Sequence, residues 1–304
     1  MNIASIDVGS NTVLITIAKI NEDNSIQPLL NLYKAPRIGK GINENKIILP
    51  EKVSALKEVL LEYASIAKQY NCSKILCVGT SPFRNAQNSY GIVQEIKKSC
   101  DLEIKIISGE EEARLSFIGA VYDKYFDNLC SLIDIGGGSS EIIFGKGEKI
   151  FFKQSFDTGA IKITEAFLKD LRTSENIKRA EDYLNNYITF EPMRFEKCIA
   201  VAGTPTSLAA IKLNLKEYSD VLVDDSILTL NDINNFINVF FSLSPQEALN
   251  KFGQPLQGRE DIILAGCLLL KRFMRALNCD EVIVSAKGLR YGLIFDFIKI
   301  LNSK

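Results

Sequence analysis

One pattern occurs twice in this chain and constrains its fold more than any other feature. "IDVGSNTVLITI" from residue 6 lies over "IDIGGGSSEIIF" from residue 133, an offset of 127 residues. Each copy reads as apolar strand, Asp-x-Gly turn, apolar strand. Glycines and small residues at the turn permit the close backbone approach that a tight hairpin demands. A turn with several unblocked N–H groups is also a concave anion site, because its amide dipoles converge on whatever lies above it. Gly9, Ser10, Asn11 and Thr12 in the first copy, and Gly136, Gly137, Gly138, Ser139 and Ser140 in the second, are therefore expected to hold phosphate oxygens. An ordinary glycine hairpin accounts for either loop alone; two copies, each led by an aspartate, favour a ligand.

Those aspartates, Asp7 and Asp134, end apolar strands, where an unpaired carboxylate is costly to bury. Each is expected to meet water, Mg²⁺ or another cation. Glu141, seven residues beyond Asp134, lies across its hairpin and reaches the same space, whereas the first copy has Leu14 at that position. The second hairpin thus carries more of the carboxylate chemistry.

Strand-like apolar runs at 3–7, 12–20, 26–33, 74–79, 103–107, 131–135, 140–145, 149–154, 198–202 and 281–285 alternate with helical spacing over 50–70, 111–126, 162–171, 206–215 and 259–277. This alternation gives an α/β class. The repeat and the 304-residue length suggest two domains, 1–122 and 123–292, with a C-terminal helix at about 293–304 free to pack back on the first.

Three further stretches carry chemistry. "AVAGTPTSLAA" (200–210) is strand, glycine turn and helix start, where exposed amides at Gly203 and Thr204 favour an anion and Thr204, Thr206 or Ser207 serves as cap or donor. "IISGEEEARLSFIGA" (106–120) sets three glutamates at a helix start. Ser108 as N-cap gives Glu111 a capping-box role, and Glu110 is an exposed dipole partner. Glu112 shares a face with the small residues Ser116 and Gly119, while Ala113, Phe117, Ala120 and Val121 form the core stripe. In "VGTSPFRNAQNS" (78–89), Ser81 reads as the cap and Pro82 as the first helical residue. Arg84 then sits in a first turn, where the dipole disfavours a cation unless an anion binds. Arg37, Lys40, Lys287 and Arg290 are weaker candidates beside glycines.

The chain has no histidine, which excludes imidazole bases, phosphohistidine and His-ligated metals. Glu112 becomes the best candidate to orient and deprotonate water. With 36 Lys and Arg against 37 Asp and Glu, there is no overall field for DNA or a membrane surface. Seven dispersed cysteines without a C-x-x-C pair read as reduced, buried thiols. No apolar run approaches the ~20 residues of a membrane span, and no signal pattern opens the chain, so a cytoplasmic location is expected.

The ordered set "IDVGSNT", "VGTSPFRNA", "ISGEEEARL", "IDIGGGSSE", "VAGTPTSLA", "GREDIILAG" and "VSAKGLRYGL" resembles the exopolyphosphatase and guanosine pentaphosphate phosphohydrolase family. The resemblance spans nearly the whole chain and is that of its short, two-domain branch, without the additional C-terminal domain of longer relatives. It implies an actin-like ATPase superfold of two ribonuclease H-like domains around a central cleft. The implied reaction is Mg²⁺-dependent (or Mn²⁺-dependent) removal of a terminal phosphate from polyphosphate or guanosine pentaphosphate. By motif, Glu112 resembles the family's general base, Asp134 and Glu141 its metal- or water-positioning carboxylates, and Arg84 its phosphate-binding arginine. Leu14, Lys40 and Tyr291 depart from the polar or basic, acidic and charged residues common there, so one phosphate contact is expected to be missing. The expected partners are polyphosphate or guanosine pentaphosphate as substrate and a second copy of the chain in a homodimer, with no DNA or membrane. A small-molecule kinase of the same superfold, or a non-catalytic polyphosphate or nucleotide sensor, remains an alternative.

Overall fold

The computed structural model describes residues 1–169 and 172–302, which divide into two units: 1–119 with the segment from Leu289 onward, and 120–288. The first unit holds β1 (Asn2–Val8), β2 (Val13–Ile20), β3 (Ile26–Lys34), β4 (Lys74–Gly79) and β5 (Ile104–Ile106) in the order β3-β2-β1-β4-β5. β1, β2 and β3 pair antiparallel, whereas β4 and β5 run parallel to β1. The second unit holds β6 (Cys130–Ile135), β7 (Ser140–Lys146), β8 (Lys149–Phe156), β9 (Lys197–Val201), β10 (Ile227–Thr229) and β11 (Glu281–Val284). Read from its β8 edge, that sheet is β8-β7-β6-β9-β11, the same order and the same pattern of directions, with β10 added antiparallel at the far edge. Both mixed sheets thus have the ribonuclease H-like order, and the α/β class is as expected.

Side chains from both faces of β1 are buried, Ile3 and Ala4 alike, so helices must cover both sides. Helix Pro50–Gln69 starts on a proline, tolerated where no amide donor is needed, and buries Val53, Leu56, Leu60, Tyr63 and Ala67 at helical spacing. Its Tyr63 hydroxyl donates to the Val13 carbonyl at 3.1 Å, anchoring the chain where it leaves the first Asp-Gly turn. In the second unit, helix Ile263–Leu277 is buried along most of its length, and Phe273 meets Phe156 of β8 edge-on at 5.8 Å, a contact worth about 0.5–1.5 kcal/mol beyond burial. Burial pushes the thiols of Cys77 and Cys267 well up and that of Cys130 up to about 12.

Several expectations need correction. β10 and the helices Ser89–Cys100, Ser174–Tyr187, Leu230–Ser242 and Pro245–Phe252 were not legible as elements. The helix expected at 162–171 is an α turn, Ala160–Ile163, continued by a π-helical turn, Thr164–Leu168; residues 170 and 171 lie outside the described residues, as do 303 and 304 of the C-terminal helix, which starts at Leu289.

Helix Gly109–Val121 carries no single core stripe: Leu115, Ser116 and Ile118 are buried along with Ala113 and Phe117. Helix Leu289–Asn302 covers its second side. Leu115 and Leu289 join one apolar cluster with Val78 and Ile107, and Arg114 pairs with both Glu111 and Asp296. The approach needs Gly292, because a β-carbon there would fall on the Leu115 carbonyl oxygen. Gly292→Ala should therefore cost about 1–3 kcal/mol, read as a lower urea midpoint; an unchanged midpoint would mean that the helices separate without cost.

Candidate active site

The two Asp-Gly turns close with the same hydrogen bond. Gly9 N–H donates to the Thr12 carbonyl at 3.0 Å and Gly136 N–H to the Ser139 carbonyl at 3.0 Å, positions again 127 apart. The aspartates stand in the same register, Asp7 opposite Leu14 and Asp134 opposite Glu141. Within the described residues, no backbone carbonyl outside the regular elements takes the amides of Ser10 and Thr12 or of Gly137, Gly138 and Ser139. Such amides are the donors an anion cradle needs.

Each turn is braced from outside. Gly39 N–H donates to the Ser10 carbonyl at 2.7 Å and Arg37 N–H to the Asn11 carbonyl at 3.1 Å, with Arg37 held at φ 55°. In the second unit, Ala160 and Ile161 donate to the carbonyls of Gly136 and Gly137 at 3.0 and 2.9 Å. Glycine makes both approaches feasible: a β-carbon on Gly39 would lie 2.6 Å from the Ser10 β-carbon, and one on Gly159 would lie 2.6 Å from the Gly137 carbonyl group. The carbonyls of Ser10, Asn11, Gly136 and Gly137 are consumed by these braces, and those of Thr12 and Ser139 by the turns' own closing bonds. The braces were not singled out from sequence, because their glycines lie 22 to 29 residues from the turn residues they touch.

In the first unit, Arg84 Nη1 donates to Glu112 Oε2 at 2.6 Å and to the Ile107 carbonyl at 3.1 Å. The two side chains are 21% and 14% exposed, so the pair is more than a solvated surface contact. The anion inferred beside Arg84 is thus present in the chain itself. Thr80, not Ser81, is the N-cap of the short helix Ser81–Asn85, with no side-chain capping bond. Ser108 Oγ accepts from the Glu111 amide at 3.1 Å, as the cap reading requires. One turn after Glu112, the buried Ser116 hydroxyl has no hydrogen-bond partner.

In the second unit, Asp134 and Glu141 lie directly opposite on β6 and β7, and Glu141 is 1% exposed. Opposed side chains sit ~5 Å apart, where two negative charges at an effective dielectric of ~20 repel by about 3 kcal/mol. Both can stay ionised only with positive charge or strong donors nearby. Ser155 Oγ supplies one donor, at 2.7 Å from Glu141 Oε1. The Ser140 hydroxyl, also fully buried without a partner, is registered with Ile135 and so belongs to the other face of the sheet. Among the described residues no three His, Cys, Asp or Glu side chains gather as a metal site. Two carboxylates on one face of the sheet still suit a hard cation such as Mg²⁺, which keeps several waters and takes one or two carboxylates besides substrate phosphate. The donor set therefore fits the metal that the resemblance implies.

The third loop ends in strain. Ala202 lies at φ 74°, ψ −172°, a region otherwise used by glycine and costing about 1–3 kcal/mol. Helix Gly203–Lys212 starts three residues earlier than expected, and no side chain caps it: Thr206 Oγ1 donates back to the Ala202 carbonyl at 2.9 Å. Ser207 Oγ is buried without a partner. The Arg259 guanidinium, 9% exposed, lies against Gly203, and Thr204 packs against Gly266. A cation held over a helix N-terminus is opposed by the dipole, which makes Arg259 a candidate to meet an anion there. It stands in the motif "GREDIILAG" but was missed because sequence does not show its distance from Gly203.

Two weaker candidates have partners within their own units. Lys287 pairs with Asp123 and Asp224; burial works against its charge, but these partners raise its pKa. Arg290, 8% exposed, donates to Asn31 Oδ1 at 3.2 Å. Among the described residues, no helix is long and apolar enough to cross a membrane.

Residues 16–300 match the Ppx/GppA phosphatase family. A guanosine-5'-triphosphate,3'-diphosphate pyrophosphatase of Photobacterium profundum is 25% identical over 97% of this chain and 59% of its own length. A putative exopolyphosphatase of Haemophilus influenzae is 26% identical over 98% of this chain and 91% of its own. The chain spans about half the length of the first curated relatives it matches, 46% and 59%. The solved Aquifex aeolicus member of the family superposes with a TM-score of 0.83 at 28% identity, covering 99% of this chain and 98% of that one. Together with the repeated Asp-Gly turns and the carboxylates set beside them, these matches establish that the chain belongs to the Ppx/GppA phosphatase family.

Proposed function

We propose that this chain is a hydrolase that releases the terminal phosphate of a phosphoanhydride chain, with inorganic polyphosphate, guanosine pentaphosphate or both as substrate. The observation that carries this reading is the pair of matching amide-rich turns, of which only the second has a carboxylate pair. Each turn, Gly9–Thr12 in the first unit and Gly136–Ser140 in the second, carries amide donors of the kind that neutralise non-bridging phosphate oxygens, whose charge must be stabilised as the bond to the leaving phosphate breaks. Gly203, Thr204 and Arg259 add donors of the same kind.

Glu112 orients water and takes its proton. Arg84 donates to that carboxylate, and its guanidinium is the donor for a terminal phosphate beside it. Asp134 and Glu141 would hold Mg²⁺ or Mn²⁺, which when bound supplies charge to neutralise phosphate oxygens. Water attacks phosphorus, its proton passes to Glu112, and the P–O bond to the shortened chain breaks, releasing orthophosphate.

The kinase alternative would need an acceptor hydroxyl in place of water, and the family membership favours water. A cytoplasmic location accords with substrates that are cytoplasmic anions and with thiols that stay unpaired. The test is phosphate release from long-chain polyphosphate and from guanosine pentaphosphate, each with Mg²⁺ and with chelator. Metal-dependent release of orthophosphate from at least one is expected. Transfer from ATP to a sugar or carboxylic acid, with no release from either substrate, would overturn the reading.

A further inference from the structure

Three neighbouring strands of the second unit carry a row of polar side chains. Asp134 on β6 is registered with Glu141 on β7, and Glu141 with Ser155 on β8. Opposed residues in a sheet project from the same face, and β7 lies between β6 and β8. Asp134 and Ser155 therefore flank Glu141 from opposite sides. The equivalent row of the first unit reads Asp7, Leu14, Tyr33. Where the middle residue is apolar, the third is not serine; where it is a carboxylate, a hydroxyl donates to it at 2.7 Å.

We propose that Ser155 is a positioning residue for the carboxylate pair, holding the Glu141 carboxyl in the orientation that lets it share a divalent cation with Asp134. The assignment rests on the reading above that this pair takes Mg²⁺. A donor to an ionised carboxylate is strong and directional, and Glu141 is 1% exposed, where a lost donor is costly. By engaging Oε1 from the β8 side, Ser155 limits rotation about the last torsion of Glu141. Without that bond the carboxyl group loses the donor that fixes Oε1, and the orienting partners of a metal ligand are typically worth 10- to 100-fold in metal affinity.

The experiment is a calorimetric titration of the full chain with Mn²⁺, paired with phosphate-release kinetics. Ser155→Ala should weaken Mn²⁺ binding about 10-fold or more and lower kcat while leaving KM for the phosphate substrate near wild type. Ser155→Thr keeps the hydroxyl and should restore both. Should Ser155→Ala fold poorly, Ser155→Cys preserves size with a weak donor and should show the same split. Wild-type Mn²⁺ affinity in a folded Ala or Cys variant overturns the assignment. Mn²⁺ binding that depends on Glu141 and Ser155, without hydrolysis of either substrate, supports it while overturning the substrate reading. Wild-type Mn²⁺ affinity in Glu141→Gln overturns the metal reading and this assignment together.

Discussion

Glu112→Gln should lower turnover by about 10²–10⁴-fold, the range supplied by a well-placed general base, with KM changed only a few-fold. Glutamine preserves the size of the side chain and can still accept a hydrogen bond from Arg84, 2.6 Å away in the wild type. It cannot take a proton at neutral pH. The turn amides, Arg84 and the carboxylates of the second unit are untouched, so substrate should still be held. Arg84→Lys should do the reverse in part, raising KM, because an ammonium cannot span both the Ile107 carbonyl and an anion as a planar guanidinium does. The diagnostic measurement is single-turnover phosphate release, which separates chemistry from product departure. If Glu112→Gln releases phosphate within a few-fold of wild type, the glutamate is only the partner of an arginine.

What was legible in the sequence follows from the range over which each signal acts. The strands of both sheets are apolar runs bounded by turn residues, and most were visible within one or two positions of their ends. The Asp-Gly turns and the Asp134–Glu141 pairing were legible because a two-strand hairpin fixes its own register within about ten residues. Helix Ser174–Tyr187 was not, since its buried face rests on little more than Ala180 and Leu184 in a polar stretch. Helix Leu230–Ser242 is rich in asparagine, a poor helix former, and is specified by its Thr229–Asp232 capping box instead. Contacts between distant segments leave no periodic trace at all. Arg259 against Gly203, Ser155 beside Glu141 and the Arg84–Glu112 pair each join residues 14 to 56 positions apart. The residue types at the site were therefore readable, while the partners that orient them were not.

The braces show how such an unread contact bears on activity, and Gly159→Ala is the sharpest probe of one. Gly159 has extended backbone angles, φ −153° and ψ 179°, which alanine adopts without strain, so the substitution tests space alone. A β-carbon there would meet the Gly137 carbonyl group at 2.6 Å and the Gly136 carbonyl oxygen at 2.7 Å. Both partners are backbone of the turn itself, so relief requires the turn to move. The amides of residues 136–140 would then miss the oxygens they are placed to meet, and a displacement near 1 Å in a positioning group costs on the order of 10²-fold in rate. Stability should fall by about 1–3 kcal/mol, too little to unfold a protein of ordinary stability. Gly39→Ala applies the same clash to Ser10 of the first turn and should also slow the reaction. Circular dichroism and a denaturation curve establish that each variant is folded before its kcat/KM is measured. A folded Gly159→Ala protein with wild-type kcat/KM would show that the second turn's position, and with it the amide cradle, does not set the rate.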